Sequence, residues 1–133
     1  MPDSVLDSYA VLAFLFGEAA APEVRQILDE AALADRPVLM STVNWAEVLY
    51  RVRRKQGDRG IEDVRRFERT MPIELVPADR ALAEAAGEFK AAHKISLADA
   101  FAAALAAQRD AELVTGDPEL KALDGAIKLR WLG

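Results

Sequence analysis

Five short apolar runs, separated by longer amphipathic segments, restrict the fold of this chain more than any other sequence feature. The runs are SVL at 4–6, PVLM at 37–40, IELV at 73–76, ELVT at 112–115 and IKLRW at 127–131. Runs of this length bounded by turn residues predict buried strands. Strands joined through helices need right-handed crossover connections. We therefore predict an α/β fold in which helices cover both faces of a mainly parallel five-stranded sheet.

The helices are predicted from amphipathic periodicity and from their capping residues. One of these helices begins after Ser41 or Thr42, and Gly57 and Gly60 are expected to separate it from the next helix. The predicted helices cover 9–16, 22–34, 42–56, 61–70, 80–93, 97–109 and 118–123. No linker, repeat or low-complexity stretch divides the 133 residues, so we expect a single domain over 1–133.

Cysteine is absent, which removes disulfides, thiolate metal sites and thiol nucleophiles, and which agrees with a reducing cytoplasm. The only histidine is His93, so a hydrolytic triad lacks its usual base, and GDRG at 57–60 lacks the spacing and lysine of a phosphate-binding loop. The first residues lack the basic segment of a signal peptide, and the apolar run over 9–16 is too short to span a bilayer. We expect a cytoplasmic protein without a membrane partner, whose mature form begins at or near Met1.

Four acidic residues are expected at one edge of the predicted sheet. Asp7 and Asp117 follow predicted strands, Glu47 lies in the opening turns of the helix after the second strand, and Asp99 lies at the start of its helix. Ligands of open parallel sheets bind beyond the carboxyl ends of the strands, near the point where the strand order reverses. The four acids are therefore candidates for one carboxylate cluster.

Crowded carboxylates need a counterion. Two of them about 4 Å apart repel by ~4 kcal/mol at an effective dielectric of about 20, so four cannot all stay ionised without a cation or protonation. Oxygen ligands suit Mg²⁺, with Mn²⁺ as a plausible substitute, and such an ion activates water for hydrolysis of a phosphodiester bond in RNA. Ser8 and Thr115 are placed to hold a water or a phosphate oxygen, although capping or turn hydrogen bonds also explain them.

Each acid except Glu47 also has an ordinary explanation as a helix cap or as part of a capping box. Glu47 lies too deep in its helix to cap it, but it is placed to pair with Arg51 four residues further on. The residues alone therefore leave a second function open. In this alternative the chain is a non-catalytic interaction module whose acids cap helices and whose apolar surface binds a partner.

The stretch from 51 to 69 is basic, whereas the chain as a whole has a net charge of -5. Such an acidic protein does not suit bulk coating of nucleic acid. The stretch is either a solvated pair of helices with local ion pairs or a surface that contacts phosphate groups. In the second interpretation Arg53, Arg54 and Arg65 bind the RNA substrate.

The segments around the four acids are VLDSYAVLAFL, STVNWAEVLYRV, ISLADAFAAALA and LVTGDPELKAL. With these motifs in this order, the chain resembles a PIN-domain ribonuclease of the VapC toxin type. The resemblance implies a three-layer α/β/α fold, a magnesium-dependent endoribonuclease, a cognate antitoxin and a homodimer. It also implies that Asp7 and Asp99 are the most commonly assigned metal ligands. Glu47 and Asp117 would complete the site, with Thr115 as a supporting hydroxyl.

Overall fold

The fold is built on one parallel β-sheet, seen in a computed structural model that describes residues 3–133. Its strands are β1 (Ser4–Leu6), β2 (Val38–Ser41), β3 (Ile73–Val76), β4 (Glu112–Thr115) and β5 (Lys128–Trp131). They lie in the order β3-β2-β1-β4-β5, and every neighbouring pair is parallel. The predicted α/β class and five-stranded sheet are confirmed. The expectation for Met1 lies outside the described residues.

Helices cover both faces of the sheet. They are α1 (Ser8–Leu15), α2 (Ala21–Ala34), α3 (Thr42–Thr70), α4 (Arg80–Ala92) and α5 (Leu97–Gln108), followed by a 3₁₀ helix (Pro118–Leu123). Alternate strand residues point to opposite faces. Val5, Leu39 and Leu113 therefore pack with α4 and α5. Their neighbours Leu6, Met40 and Val114 pack with α1, α2 and α3, and the result is the predicted three-layer α/β/α arrangement.

The predicted break after Gln56 occurs at Gly57 alone. Gly57 has φ 65° and ψ -153°, a conformation that L side chains rarely adopt, so glycine permits the kink inside α3. Gly60 was expected to help break the chain, but it lies buried within the helix. A Cβ atom at Gly60 would lie 2.7 Å from Cγ1 of Val52, so close packing explains this glycine better than helix termination. The other predicted elements agree with the observed ones to within one residue at each end.

Within residues 3–133, no helix has the length and apolar character that crossing a bilayer requires.

Candidate metal centre

The register of the sheet places two of the candidate residues side by side. Leu6 of β1 pairs with Val114 of β4, so the next residues, Asp7 and Thr115, lie together at the carboxyl ends of these strands. The Asp7 backbone N–H donates to the Val114 carbonyl at 3.4 Å. β2 and β3 lie on one side of β1, and β4 and β5 lie on the other side, so the strand order reverses at β1. The site therefore lies at the switch point where ligands of such sheets bind.

Asp7 is both a helix cap and a buried carboxyl group. It is only 1% exposed, and its Oδ1 accepts a hydrogen bond from the Ala10 N–H at 2.9 Å, which caps α1. Its Oδ2 is buried and has no hydrogen-bond partner within residues 3–133. Burial raises the pKa of Asp7 to about 7, although the nearby Thr115 hydroxyl and the Ala10 N–H oppose the rise. Capping thus accounts for one oxygen of this carboxylate and leaves the other unexplained.

Asp99 is also a buried carboxyl group, but it does not cap its helix. Ser96 caps α5, because its hydroxyl oxygen accepts the Asp99 N–H at 3.1 Å. Asp99 is 7% exposed, and its Oδ2 is also buried without a hydrogen-bond partner among the described residues. Burial is the main cause that raises the pKa of Asp99 to about 7, and the neighbouring charges of Asp117, Glu119 and Glu47 add to it. The charge of Asp99 therefore interacts with those of Asp117 and Glu47, and Asp7 interacts with Asp99 and Asp117.

The 3₁₀ helix adds an acid that the sequence interpretation missed. Asp117 Oδ1 accepts the Glu119 N–H at 3.0 Å, and the Thr115 hydroxyl oxygen accepts the Asp117 N–H at 3.0 Å. Carboxylate oxygens of Asp99, Asp117 and Glu119 lie within 4.8 Å of one another. Acids are common in the first turn of a helix, because the positive end of the helix dipole stabilises them. Glu119 was therefore not predicted as a site residue. The sequence signal that could have identified Glu119 is its position two residues after Asp117.

Glu47 lies at the edge of this group. It is partly buried, and its Oε2 is 3.2 Å from the Arg51 guanidinium, so the ion pair considered from the sequence is present. The Tyr50 hydroxyl donates to the same oxygen at 3.5 Å. Glu47 and Asp7 are not part of the 4.8 Å group. Glu47 is thus a neighbour of the cluster whose carboxylate has cationic and hydroxyl partners of its own.

Ser8 reaches the site, but its hydroxyl is engaged elsewhere. It donates to the Asn44 carbonyl oxygen and accepts from Asn44 Nδ2, both at 3.3 Å. Asn44 Nδ2 also donates to the Ala98 carbonyl at 3.0 Å, while Asn44 Oδ1 is buried and has no hydrogen-bond partner in the described part of the chain. Asn44 therefore links α1, α3 and α5 beneath the acids. The sequence interpretation missed Asn44, and its only signal was a polar residue on an otherwise apolar helix face.

A pocket of about 810 Å³ opens over the acids and is lined by both charge types and by aromatic rings. Its lining includes five acids (Glu18, Glu47, Asp99, Asp117, Glu119), three cations (Arg51, Arg54, Lys55) and three rings (Tyr9, Phe16, Tyr50). The Arg54 guanidinium lies 4.8 Å from the Tyr50 ring centroid, and Lys55 Nζ lies 4.2 Å from that of Phe16. These contacts hold two cations in the pocket.

Of the three arginines predicted to bind substrate, only Arg54 lines this pocket. Arg53 instead pairs with Asp58 at 2.6 Å, and Arg65 approaches Glu68 at 3.9 Å. The reason is the helical period: residues 47, 50, 51, 54 and 55 share one face of α3, whereas residue 53 points away from it. Arg53 and Arg65 thus lie outside the lining of this pocket, and the contact of the three arginines with RNA stays a prediction.

The side chains around the switch point suit a hard divalent cation. Asp7 Oδ2 and Asp99 Oδ2 are buried oxygens without partners, and Asp117 and Glu119 add further carboxylate oxygens close to Asp99. An all-oxygen donor set of this kind suits Mg²⁺ or Mn²⁺ better than Zn²⁺. Without a cation, protonation is the only other way to relieve the crowding.

Comparisons with known proteins identify the family and the fold of the chain. The family model of the PIN domain matches residues 4–126. Among solved structures, the chain is similar to VapBC2 from Rickettsia felis bound to a DNA fragment from their promoter, with 16% identity, a TM-score of 0.79 and 98% of each chain covered. It is similar to DNA-bound VapBC from Salmonella typhimurium, with 18% identity, a TM-score of 0.78 and 98% of each chain covered.

A third similar structure is VapC20 from Mycobacterium tuberculosis, a sarcin-ricin loop cleaving toxin. The identity is 18% and the TM-score 0.71, over 90% of this chain and 94% of that one. At such identities the likeness concerns the fold. No curated protein matches the chain.

Proposed function

The chain belongs to the PIN domain family, and from this premise we propose that it is a magnesium-dependent endoribonuclease. The observation that carries the proposal is the pair of buried carboxylate oxygens, Asp7 Oδ2 and Asp99 Oδ2, for which residues 3–133 offer no hydrogen-bond partner. A buried polar group without a partner costs about 1 to 3 kcal/mol, and more if it is charged. A bound cation would give both oxygens the partner that they lack.

We assign Asp7, Asp99 and Asp117 as the principal ligands of Mg²⁺, with Mn²⁺ as a substitute. Glu119 is added to this set because its carboxylate lies within 4.8 Å of those of Asp99 and Asp117. Glu47 is assigned a place at the edge of the site, where its Oε2 contacts Arg51 and Tyr50 and its Oε1 would accept a hydrogen bond from a water of the ion. The Ala10 N–H and the Ser96 hydroxyl restrict how Asp7 and Asp99 can move.

The chemistry follows from these assignments. A bound Mg²⁺ supplies a Lewis acid for a phosphate oxygen and lowers the pKa of an attacking water. The carboxylates of the chain would hold the ion and, through it, the cleaved phosphate, while the Thr115 hydroxyl supports Asp117 by accepting the Asp117 backbone N–H. Water attack on phosphorus with the 3′ oxygen as the leaving group gives a 3′-hydroxyl and a 5′-phosphate end. The attacking water releases a proton to solvent, and the leaving 3′ oxygen takes up a proton from solvent when its bond to phosphorus breaks.

The cationic side of the pocket would bind the neighbouring phosphates. Arg54 and Lys55 reach the pocket over the rings of Tyr50 and Phe16. Arg54 and Lys55 share a face of α3 with Glu47 but lie further along the helix. Phosphates bound by these two cations would therefore lie farther from the acids than the cleaved phosphate does. This local arrangement lets a protein of net charge -5 bind RNA without an overall basic surface.

We further propose that the protein is the toxin of a VapBC-type pair, acts in the cytoplasm and forms a homodimer. The support is the likeness to VapBC from Rickettsia felis and Salmonella typhimurium and to the toxin VapC20. A cognate antitoxin would be the protein partner. An arginine of the antitoxin placed among the carboxylates would neutralise them and exclude the cation.

The alternative of a non-catalytic interaction module has one observation in its favour. The side chains of Asp7 and Asp117 do accept the hydrogen bonds expected of helix caps. Asp99 does not fit this alternative, because Ser96 caps its helix, and capping leaves the second oxygen of Asp7 buried without a partner. We therefore favour the nuclease.

The direct test is incubation of the purified protein with total cellular RNA in Mg²⁺, in Mn²⁺ and in EDTA, followed by sequencing of RNA ends. We expect cleavage with either ion, none in EDTA, and products that carry 5′-phosphate ends. If folded protein produced no new ends with Mg²⁺ or Mn²⁺ at pH 8, the interaction module would become the better explanation.

The structure also separates the basic residues into two experimental groups. Replacing Arg54 with alanine is expected to weaken RNA binding about threefold to tenfold and to reduce the slope of log K against log salt by about one, as for one lost phosphate contact. Arg53 is the matched control, since it is one residue away on the same helix but pairs with Asp58 outside the pocket. Filter binding at several salt concentrations makes the measurement. If Arg53→Ala and Arg54→Ala had equal effects, the contact between Arg54 and RNA would be disproved, and both residues would be ordinary solvated surface residues.

A further inference from the structure

Tyr9 is a half-exposed ring at the mouth of the pocket. It is 42% exposed, although most of the residues around it in α1 are buried. The side chain lines the pocket together with Asp99 and Asp117. Its hydroxyl makes no hydrogen bond to the part of the chain that the structure describes. Neither core packing nor a polar contact therefore explains a tyrosine here.

The position of the Tyr9 ring depends on Gly116. A Cβ atom at residue 116 would lie 2.4 Å from Tyr9 Cε1 and 2.7 Å from Cζ, so any side chain there would displace the ring. Gly116 is not among the glycines with positive φ, so its backbone conformation does not require glycine. The small residue between Thr115 and Asp117 instead gives the ring room beside the acids.

The other two aromatic rings of the pocket each have a cationic side chain over one face. Arg54 lies over Tyr50, whose hydroxyl also contacts Glu47, and Lys55 lies over Phe16. Tyr9 is thus the one of the three pocket rings with no cation over it among the described residues. An aromatic ring beside a phosphate-cleaving centre suits a nucleobase, because every base has a π face that stacks on such a ring.

We propose that Tyr9 stacks on the base of a nucleotide that flanks the cleaved phosphate, and that Gly116 sets the position of the ring. The inference rests on the proposed nuclease function. It makes Tyr9 a positioning residue. The acids would hold the cleaved phosphate through the cation, Arg54 and Lys55 bind the continuing backbone, and Tyr9 fixes the base of a nucleotide next to the cleaved bond. Because stacking needs an exposed base face, the nucleotide at this place must be unpaired.

The test is a double-mutant cycle between the ring and the base. After the cleavage site has been mapped, wild type, Tyr9→Leu and Tyr9→Phe are assayed on an unpaired RNA oligonucleotide and on versions with an abasic nucleotide on either side of the cleaved bond. Wild type and Tyr9→Phe are expected to lose about tenfold in kcat/KM on one of the abasic substrates. Tyr9→Leu keeps the apolar volume without the π face, so it is expected to lose about tenfold on intact RNA and no more on the abasic version.

Two further measurements keep the outcome interpretable. Tyr9→Leu is expected to retain the shift in melting temperature that Mg²⁺ causes in wild type, which excludes damage to the metal site. Gly116→Ala, which displaces the ring, is expected to show the same insensitivity to the abasic substitution as Tyr9→Leu. If wild type cleaves RNA but the losses from Tyr9→Leu and from the abasic nucleotide simply multiply, stacking is disproved and the nuclease stands. If wild type neither cleaves nor binds RNA, both proposals fail.

Discussion

Asp99→Asn is expected to abolish magnesium-dependent RNA cleavage, with kcat/KM falling about a thousandfold or more. Loss of a charged ligand removes several kcal/mol of transition-state stabilisation, and each 1.4 kcal/mol is about tenfold in rate. Asp7→Asn is expected to have the same effect, while its amide oxygen still caps α1 by accepting the Ala10 N–H. Cleavage of a mapped oligonucleotide in Mg²⁺ makes the measurement.

The same two variants are expected to be more stable than wild type when no metal is present. Each substitution replaces a buried carboxylate that lacks a partner at Oδ2 by a neutral amide, whose nitrogen can donate to a neighbouring carboxylate. We expect a melting temperature about 3 to 8 °C higher in EDTA, as for a gain of one to two kcal/mol in a domain of this size. Loss of activity together with a gain of stability is the pattern of a functional site.

Asp79→Asn is the matched control for both effects. Asp79 caps α4 as Asp7 caps α1, with its Oδ1 accepting the Leu82 N–H at 2.9 Å, but it is exposed and lies outside the pocket. We expect neither its activity nor its melting temperature to change appreciably. Unchanged cleavage by both Asp7→Asn and Asp99→Asn would remove the catalytic assignment and leave capping as the role of Asp7.

Stabilisation by Mg²⁺ is expected to depend strongly on pH. The pKa values of Asp7 and Asp99 are raised from 3.8 to about 7 in the folded chain, so between about pH 4 and pH 7 the folded protein holds protons that the unfolded chain has released. The stability of the metal-free protein therefore falls as the pH rises through this window, and this contribution is absent above about pH 7. Mg²⁺ needs the ionised carboxylates, so its affinity must rise over the same window.

The affinity for Mg²⁺ is expected to weaken about tenfold to a hundredfold for each pH unit below 7, according to whether one or both carboxyl groups must lose a proton. Thermal-shift titrations with Mg²⁺ from pH 5.5 to 8.5, with EDTA as the reference, make the measurement. Asp99→Asn should flatten the dependence. A Mg²⁺ affinity that does not change with pH, or a metal-free protein that gains stability from pH 5 to 7, would contradict the assignment of these two carboxyl groups.

Much of the fold could be predicted from local patterns. Short apolar runs and the capping residues Asp7, Ser41, Ser96 and Asp117 determine where strands end and helices begin, because each signal acts within a few residues. Alternation between strands and helices then requires a parallel sheet. A parallel sheet in turn places the residues after its strands at one edge, which is why the candidate acids could be grouped from the sequence.

The remaining features of the site depend on distances that no local pattern contains. Glu119 looked like an ordinary first-turn acid, and only the position of the 3₁₀ helix beside α5 brings its carboxylate near Asp99. Arg53 and Arg65 belong to the same basic stretch as Arg54, yet only Arg54 faces the pocket. A count of charges along the chain does not tell these residues apart, since the direction of each side chain follows from the rotation of its helix against the sheet.

By itself, the sequence determined the α/β architecture and the edge of the sheet at which Asp7, Glu47, Asp99 and Asp117 were expected. The tertiary structure decided how these acids differ: one oxygen each of Asp7 and Asp99 is buried without a partner, Glu47 is paired with Arg51, and Tyr9 has a place beside Gly116. The physical reason is that hydrogen-bonding patterns within an element are local, whereas burial and the distances between side chains depend on strand register and helix packing.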